Sequence, residues 1–212
     1  MRIGNYLVTI CFLLLQRRSK GSVEFTFEII SYSNPLRLDV NSNTCEFFYF
    51  LGDGCDPEFT LTIYITSATG RKSLAIREKA GPFYNHLDIV NVMQVTGMQK
   101  SYPFIMDFEL NIEDYDLISN DVIARFSAKL LFSAVGVYQL EMGDKVRVKI
   151  LLASLCSENY YGQQCDVYCR PEDGVWMCDG DTGERICLDP TKVDDNEIPY
   201  CKSTFSSPLS SP

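Results

Sequence analysis

Six cysteines stand within 46 residues: Cys156, Cys165, Cys169, Cys178, Cys187 and Cys201, separated in turn by eight, three, eight, eight and thirteen residues. Cysteine sulfur at this density either cross-links a chain or holds a metal. Cys165-x3-Cys169 has a zinc-like spacing, but the segment lacks a second close pair, and the chain's one histidine, His86, lies far upstream. A zinc site needs such partners, so the reading is a disulfide framework. The segment is too short and too polar to bury a core of its own. Each bridge closing a loop of about ten residues contributes roughly 2–4 kcal/mol in the chain-entropy account. With Cys45 and Cys55 the count is eight, which allows roughly a hundred connectivities, and spacing does not choose among them.

Other reactive groups point to no chemistry. The sequence has no Gly-x-Ser-x-Gly, no His-Glu-x-x-His and no glycine loop that would cradle phosphate. A histidine-based catalyst would have to run through His86, so no enzyme is expected and no cofactor is implied. Asp179-Gly-Asp-Thr-Gly183 looks like part of a calcium loop, but Pro190 stands where the twelfth-position glutamate belongs. A hairpin turn between Trp176–Cys178 and Arg185–Cys187 accounts for it better. Asp194-Asp195-Asn196-Glu197 reads as a solvated acidic loop. The carboxylates of Asp53–Asp56 and Asp114–Asp116 are a candidate calcium cluster at a sandwich tip, with ordinary turn residues as the plainer reading. No Asn-x-Ser/Thr acceptor occurs.

The elements that must carry the cysteines are strands. Val23, Phe25, Phe27 and Ile29 alternate with polar residues. So do Phe59, Leu61, Ile63 and Ile65, then Phe104 to Ile112, then Val146 to Leu152. Period-two alternation puts one face in a core and the other in water. Several such runs joined by Gly, Asn and Asp turns predict a mainly β protein, an antiparallel β-sandwich over residues 22–155 followed by the small cysteine-rich module. The Pro82–Met98 segment is ambiguous, and no convincing helix stands out.

The ends and the charge bound the setting. Arg2, the ten-residue apolar run from Tyr6 to Leu15 and the small residues Ser19 and Gly21 read as a cleaved secretory signal over residues 1–21. Ten apolar residues reach about half of the roughly 20 that span a bilayer. Cys11 leaves with the signal, and the even number that remains suits an oxidising, extracellular location. The whole chain carries a net charge of −9; without residues 1–21 it has 15 basic against 28 acidic residues, or −13. So acidic a surface repels phosphate, so nucleic acid is not an expected partner. Residues 202–212 are Ser/Pro-rich and read as a disordered tail, and no later stretch is apolar enough to span a membrane.

The run Cys156-Ser-Glu-Asn-Tyr-Tyr-Gly-Gln-Gln-Cys165, followed by Cys169-Arg170-Pro171, resembles the DSL module of the Delta/Serrate/Jagged family of Notch ligands. Tyr160-Tyr161-Gly162 is the most specific part. A weaker resemblance runs upstream, through Val23–Ile29, the cysteine-aromatic run from Cys45, Tyr102-Pro103 and Val146–Ile150, to the family's C2-like N-terminal module. The resemblance implies a DSL module over residues 156–201. It also implies bridges between cysteines in order: Cys156 with Cys165, Cys169 with Cys178 and Cys187 with Cys201, which leaves Cys45 to Cys55.

It further implies a partner, the EGF repeats of a Notch-type receptor, met by the second cysteine loop. Arg170 stands at the family's arginine; Trp176 is the candidate aromatic contact, with packing over the neighbouring bridge as its alternative; and Tyr160 and Tyr161 are candidates to contact the receptor, to pack internally or to divide those roles. Two departures bear on affinity. The loop is three residues shorter than in most members, and Glu172 replaces a basic residue. The acidic 194–197 loop also replaces a Gly-Trp-x-Gly segment. The chain resembles the family's short secreted, nematode-type members without EGF repeats or a membrane anchor. That implies a diffusible ligand, acting with a membrane-anchored co-ligand or blocking anchored ligands. The alternative is a secreted C2-like lipid- or matrix-binding protein whose DSL module is structural.

Overall fold

The computed structural model describes residues 21–45, 55–116 and 120–188, and the backbone of 202–203. Eight strands build the larger part: β1 (Val23–Ser33), β2 (Pro57–Thr66), β3 (Lys72–Ala80), β4 (Asp88–Gln99), β5 (Phe104–Asp114), β6 (Asp121–Phe132), β7 (Gly136–Met142) and β8 (Arg147–Cys156). They form two four-stranded antiparallel sheets, ordered β4-β1-β8-β7 and β3-β2-β5-β6. Five short strands follow: β9 (Tyr160–Tyr161), β10 (Val167–Tyr168), β11 (Trp176–Cys178), β12 (Arg185–Cys187) and β13 (Lys202–Ser203). No helix occurs among the described residues, so the fold is the mainly β sandwich with a cysteine-rich appendage that alternation predicts.

The core sits between the sheets and is aromatic. Val23, Phe25, Phe27 and Ile29 of β1 are shut from solvent, as are Phe59, Leu61 and Ile63 of β2 and Phe104, Met106, Phe108, Leu110 and Ile112 of β5. Phe27 meets Phe108 edge-on at 4.9 Å between ring centres, and Phe104 stacks on Phe132 at 5.0 Å. Each such ring pair adds about 0.5–1.5 kcal/mol to the area it buries. Cys45 and Cys55 are bridged, tying the end of the β1–β2 connection to the start of β2. The aromatic residues after Cys45 lie outside the described residues.

The ambiguous Pro82–Met98 segment resolves into a loop over 81–87 and strand β4. Asn91 has φ +53°, and the register with β1 slips there: Ile29 faces Met93, while Ser31 faces Val90. The slip is a bulge, which adds a residue and inverts the phase of the pattern. That inversion is why the segment shows no clean alternation. The tail also departs from expectation at its first two residues. Lys202–Ser203 are extended and pair in parallel with Ile186–Cys187, so backbone hydrogen bonding draws them onto β12. Residues 204–212 lie outside the described residues.

Candidate functional site: the cysteine-rich module

The module is seated on the sandwich. Strand β8 ends at Cys156, and Cys156 is bridged to Cys165, with 5.2 Å between their Cα atoms. Cys165 is wholly buried and belongs to the core cluster, with Cys156 and Tyr160 packed on its margin. Three backbone bonds hold the seat. Gly21 N–H donates to the Cys165 carbonyl at 3.2 Å, Ser157 N–H to Ser22 at 2.9 Å and Val135 N–H to Gln163 at 2.9 Å. Gly21 lies under the Tyr160 ring, where an added Cβ would come within 2.2 Å of the ring. The residue at the edge of the expected signal therefore has a place in the fold.

The candidates separate once they are placed. Tyr160 and Tyr161 form β9 and pair with Tyr168 and Val167 of β10. Tyr160 meets Tyr168 edge-on at 5.2 Å. Tyr161 lies under the 179–183 turn: a Cβ on Gly183, which has φ +70°, would stand 2.7 Å from the Tyr161 Cβ. Both tyrosines of the triplet are half-buried, and packing takes much of their surface. Cys169 is bridged to Cys178, with Cα atoms 6.0 Å apart. Cys187 is disulfide-bonded as well, while Cys201 lies outside the described residues.

The loop inside the Cys169–Cys178 bridge is closed by its own backbone. Glu172 and Trp176 exchange hydrogen bonds at 3.1 Å, and Val175 N–H also donates to the Glu172 carbonyl. Gly174 supplies the left-handed turn at φ +71° that so short a closure demands. Trp176, expected as an aromatic contact, is 9% exposed. Its indole N–H donates to the Arg170 carbonyl at 2.9 Å, and the Arg185 guanidinium lies 4.7 Å from its ring. Trp176 therefore props up the loop and fixes the backbone of Arg170, and it offers little surface to a partner. Arg170 and Glu172 are exposed.

Two residues missed by sequence reasoning are exposed beside them: Tyr168 at 55% and Met177 at 46%. Each directly precedes one half of the Cys169–Cys178 bridge. Their position was the available signal, because a module this small cannot bury both neighbours of a bridge. Arg185 was missed too, although the expected hairpin places it opposite Cys178.

The other candidates are spent on structure. Asp179 Oδ1 accepts from the amides of Asp181 and Thr182 and from the Thr182 hydroxyl, so it closes the β11–β12 turn on itself. At the far tip of the sandwich Asp114 is buried and accepts from Asp56 N–H, and Asp56 in turn accepts from Asn85 N–H at 2.6 Å. Burial first, then the nearby Asp116, Asp56 and Asp121, push Asp114 up to about 6, against the pull of the Asp56 amide. Among the described residues no three His, Cys, Asp or Glu side chains converge as a metal would require. Asp53 and the 194–197 acidic loop lie outside the described residues. His86 is exposed in the 81–87 loop.

Comparison with known proteins bears on this geometry directly. The family model described as Delta serrate ligand, DSL, matches residues 156–194. Delta-like protein C of Danio rerio is 31% identical over 93 residues, 42% of this chain and 14% of that protein. Delta-like protein 1 of Homo sapiens is 33% identical over 72 residues, 32% of this chain and 9% of its own length. The chain thus matches only a small part of those longer relatives. A structure of Drosophila C2-DSL-EGF1 superposes with a TM-score of 0.53 and 20% identity, covering 84% of this chain and 88% of the other. Sandwich and module together define a C2–DSL protein. Residues 156–194 carry a DSL module, and parts of the chain are similar to Delta-like proteins. Among the described residues no helix is long and apolar enough to cross a membrane.

Proposed function

We propose that the chain is an extracellular ligand of a Notch-type receptor. It meets receptor EGF repeats with the surface around the Cys169–Cys178 bridge. The observation that carries this reading is the exposure of Arg170, Tyr168 and Met177 beside one disulfide that pins their backbones. Arginine and tyrosine are the residue types that dominate binding hot spots, and a pre-ordered loop loses little entropy on docking. Glu172 and Asp173 on the same loop lower its positive potential, which sets partner choice and association rate more than contact area does. Trp176 supports the surface from beneath. The action is recognition, with activation alongside an anchored co-ligand or blockade of anchored ligands as its outcomes.

Binding of the oxidised protein to a recombinant Notch ectodomain carrying its ligand-binding EGF repeats tests this. Arg170→Glu and Tyr168→Ala are each expected to weaken saturable binding about tenfold or more, that is about 1.4 kcal/mol or more, with thermal unfolding unchanged. Trp176→Ala is expected to weaken binding and to lower the stability of the module together. Absence of saturable binding at tens of micromolar would refute the reading.

A further inference from the structure

Strands β3 and β4 are the outermost strands of the two facing sheets, on the same side of the sandwich, and among the described residues each pairs with a neighbour on one edge only. A groove of about 540 Å³ runs between residues 75–79 of β3 and 93–96 of β4. The register says which side chains face it. Ile76 stands opposite Ile63, and Arg77 and Lys79 stand opposite Thr62 and Thr60. Ile63 is buried and points into the sandwich, so Ile76 does also, and Arg77 and Lys79 lie on the outer face. Across the groove Met93 and Val95 oppose the buried Ile29 and Phe27. Ile76, Met93 and Val95 pack on the margin of the core and make an apolar floor.

The charge here runs against that of the whole. The chain carries −9, yet Arg71, Lys72, Arg77 and Lys79 gather on and beside β3, where Glu78 is the only acidic residue of the strand itself. Lys72 is paired with Asp107 and Lys79 with Glu58. Arg77 is exposed and has no ion pair among the described residues.

We propose that the free edge of β3 is a strand-addition site for an extended peptide segment in which apolar residues alternate with acidic ones. An added strand satisfies the unpaired backbone groups of the edge. Its side chains then alternate between two surroundings. One set lies over Ile76, Met93 and Val95; the other lies on the outer face beside the unpaired Arg77, as cross-strand neighbours do. The first surroundings select apolar residues and the second select carboxylates. Arg77 repels a basic strand at this edge, so it limits indiscriminate pairing while admitting a complementary one. An anionic membrane fits less well, because one unpaired arginine offers little to a charged plane and the apolar floor lies in a groove between two strand edges.

The test uses the full chain and a synthetic peptide of alternating valine and glutamate, with an alternating valine–lysine peptide as control. Amide hydrogen exchange across β3 is the readout. The expected result is saturable slowing of exchange in β3 with the glutamate peptide alone. Arg77→Glu, an exposed change that leaves the core untouched, is expected to weaken it about five- to tenfold. Val95→Lys, which charges the floor, is expected to abolish it, with circular dichroism reporting the fold of both variants. Unchanged exchange in β3, equal binding of the lysine peptide, or protection by phosphatidylserine vesicles in place of the peptide would each overturn the proposal.

Discussion

At the scale of single residues, Trp176 and Asp114 show how far position outweighs residue type. A lone tryptophan in a short cysteine loop reads equally as a partner contact and as packing over the bridge. Here its ring is taken up by Arg185 and its N–H by the Arg170 carbonyl, so it acts through Arg170. Asp114 reads as an ordinary turn carboxylate, yet it is 2% exposed and titrates near 6 in the fold. The sign follows from linkage. The native state keeps the proton up to about 6, while the unfolded chain releases it near 4, so the native state binds more protons in between. Stability therefore falls as pH rises through that window and stays low above it. Asp114→Asn is expected to flatten the fall and to stabilise the protein at neutral pH by roughly 1–2 kcal/mol. Urea midpoints from acid to neutral pH would show it. Asp116, raised by burial and then by Asp121 and Asp56, leaves a smaller residual slope.

At the scale of elements, the strands legible in the sequence are those that keep one phase from end to end. β5 holds its inward set from Phe104 to Ile112 without a break, and β2 keeps its own from Phe59 to Ile65. β4 carries the Asn91 bulge, and β6 meets a register shift opposite Ile112 and Glu113. β3 is exposed along nearly all its length and has no apolar face to announce it. Asn91 tolerates φ +53° better than branched residues do. Asn91→Val is accordingly expected to cost about 1–3 kcal/mol, and Asn91→Gly to be neutral or mildly stabilising. Chemical denaturation of the two variants would separate backbone strain from lost side-chain contacts.

At the scale of the whole molecule, the two modules share one seat. Gly21, Ser22 and Val135 of the sandwich are bonded to Cys165, Ser157 and Gln163, and the Tyr160 ring covers Gly21. Gly21→Val forces the ring away and is expected to loosen the module with little effect on the sandwich core. Faster exchange of the Ser157 and Val135 amides, with the β5 amides unchanged, is the outcome to look for. Uniform loss of protection would mean that the seat is part of the global fold. The acidic charge acts at this scale too: a net charge of −9 disfavours polyanions as partners.

By itself the sequence determined the class of the protein. Alternation at period two, repeated over several runs, compels a two-faced sheet, because one set of side chains must leave water whatever the rest of the chain does. The cysteine count and spacing, with Tyr160-Tyr161-Gly162 between the first two, marked the DSL module. Only the tertiary structure decided which residues of that module face outward. Burial is summed over contacts from distant segments: Arg185 reaches Trp176 through a hairpin, and Gly21 reaches Tyr160 from the far end of the chain. It also decided that β3 and β4 lie side by side at the ends of their sheets among the described residues, because which strands end a sheet depends on how all eight are ordered.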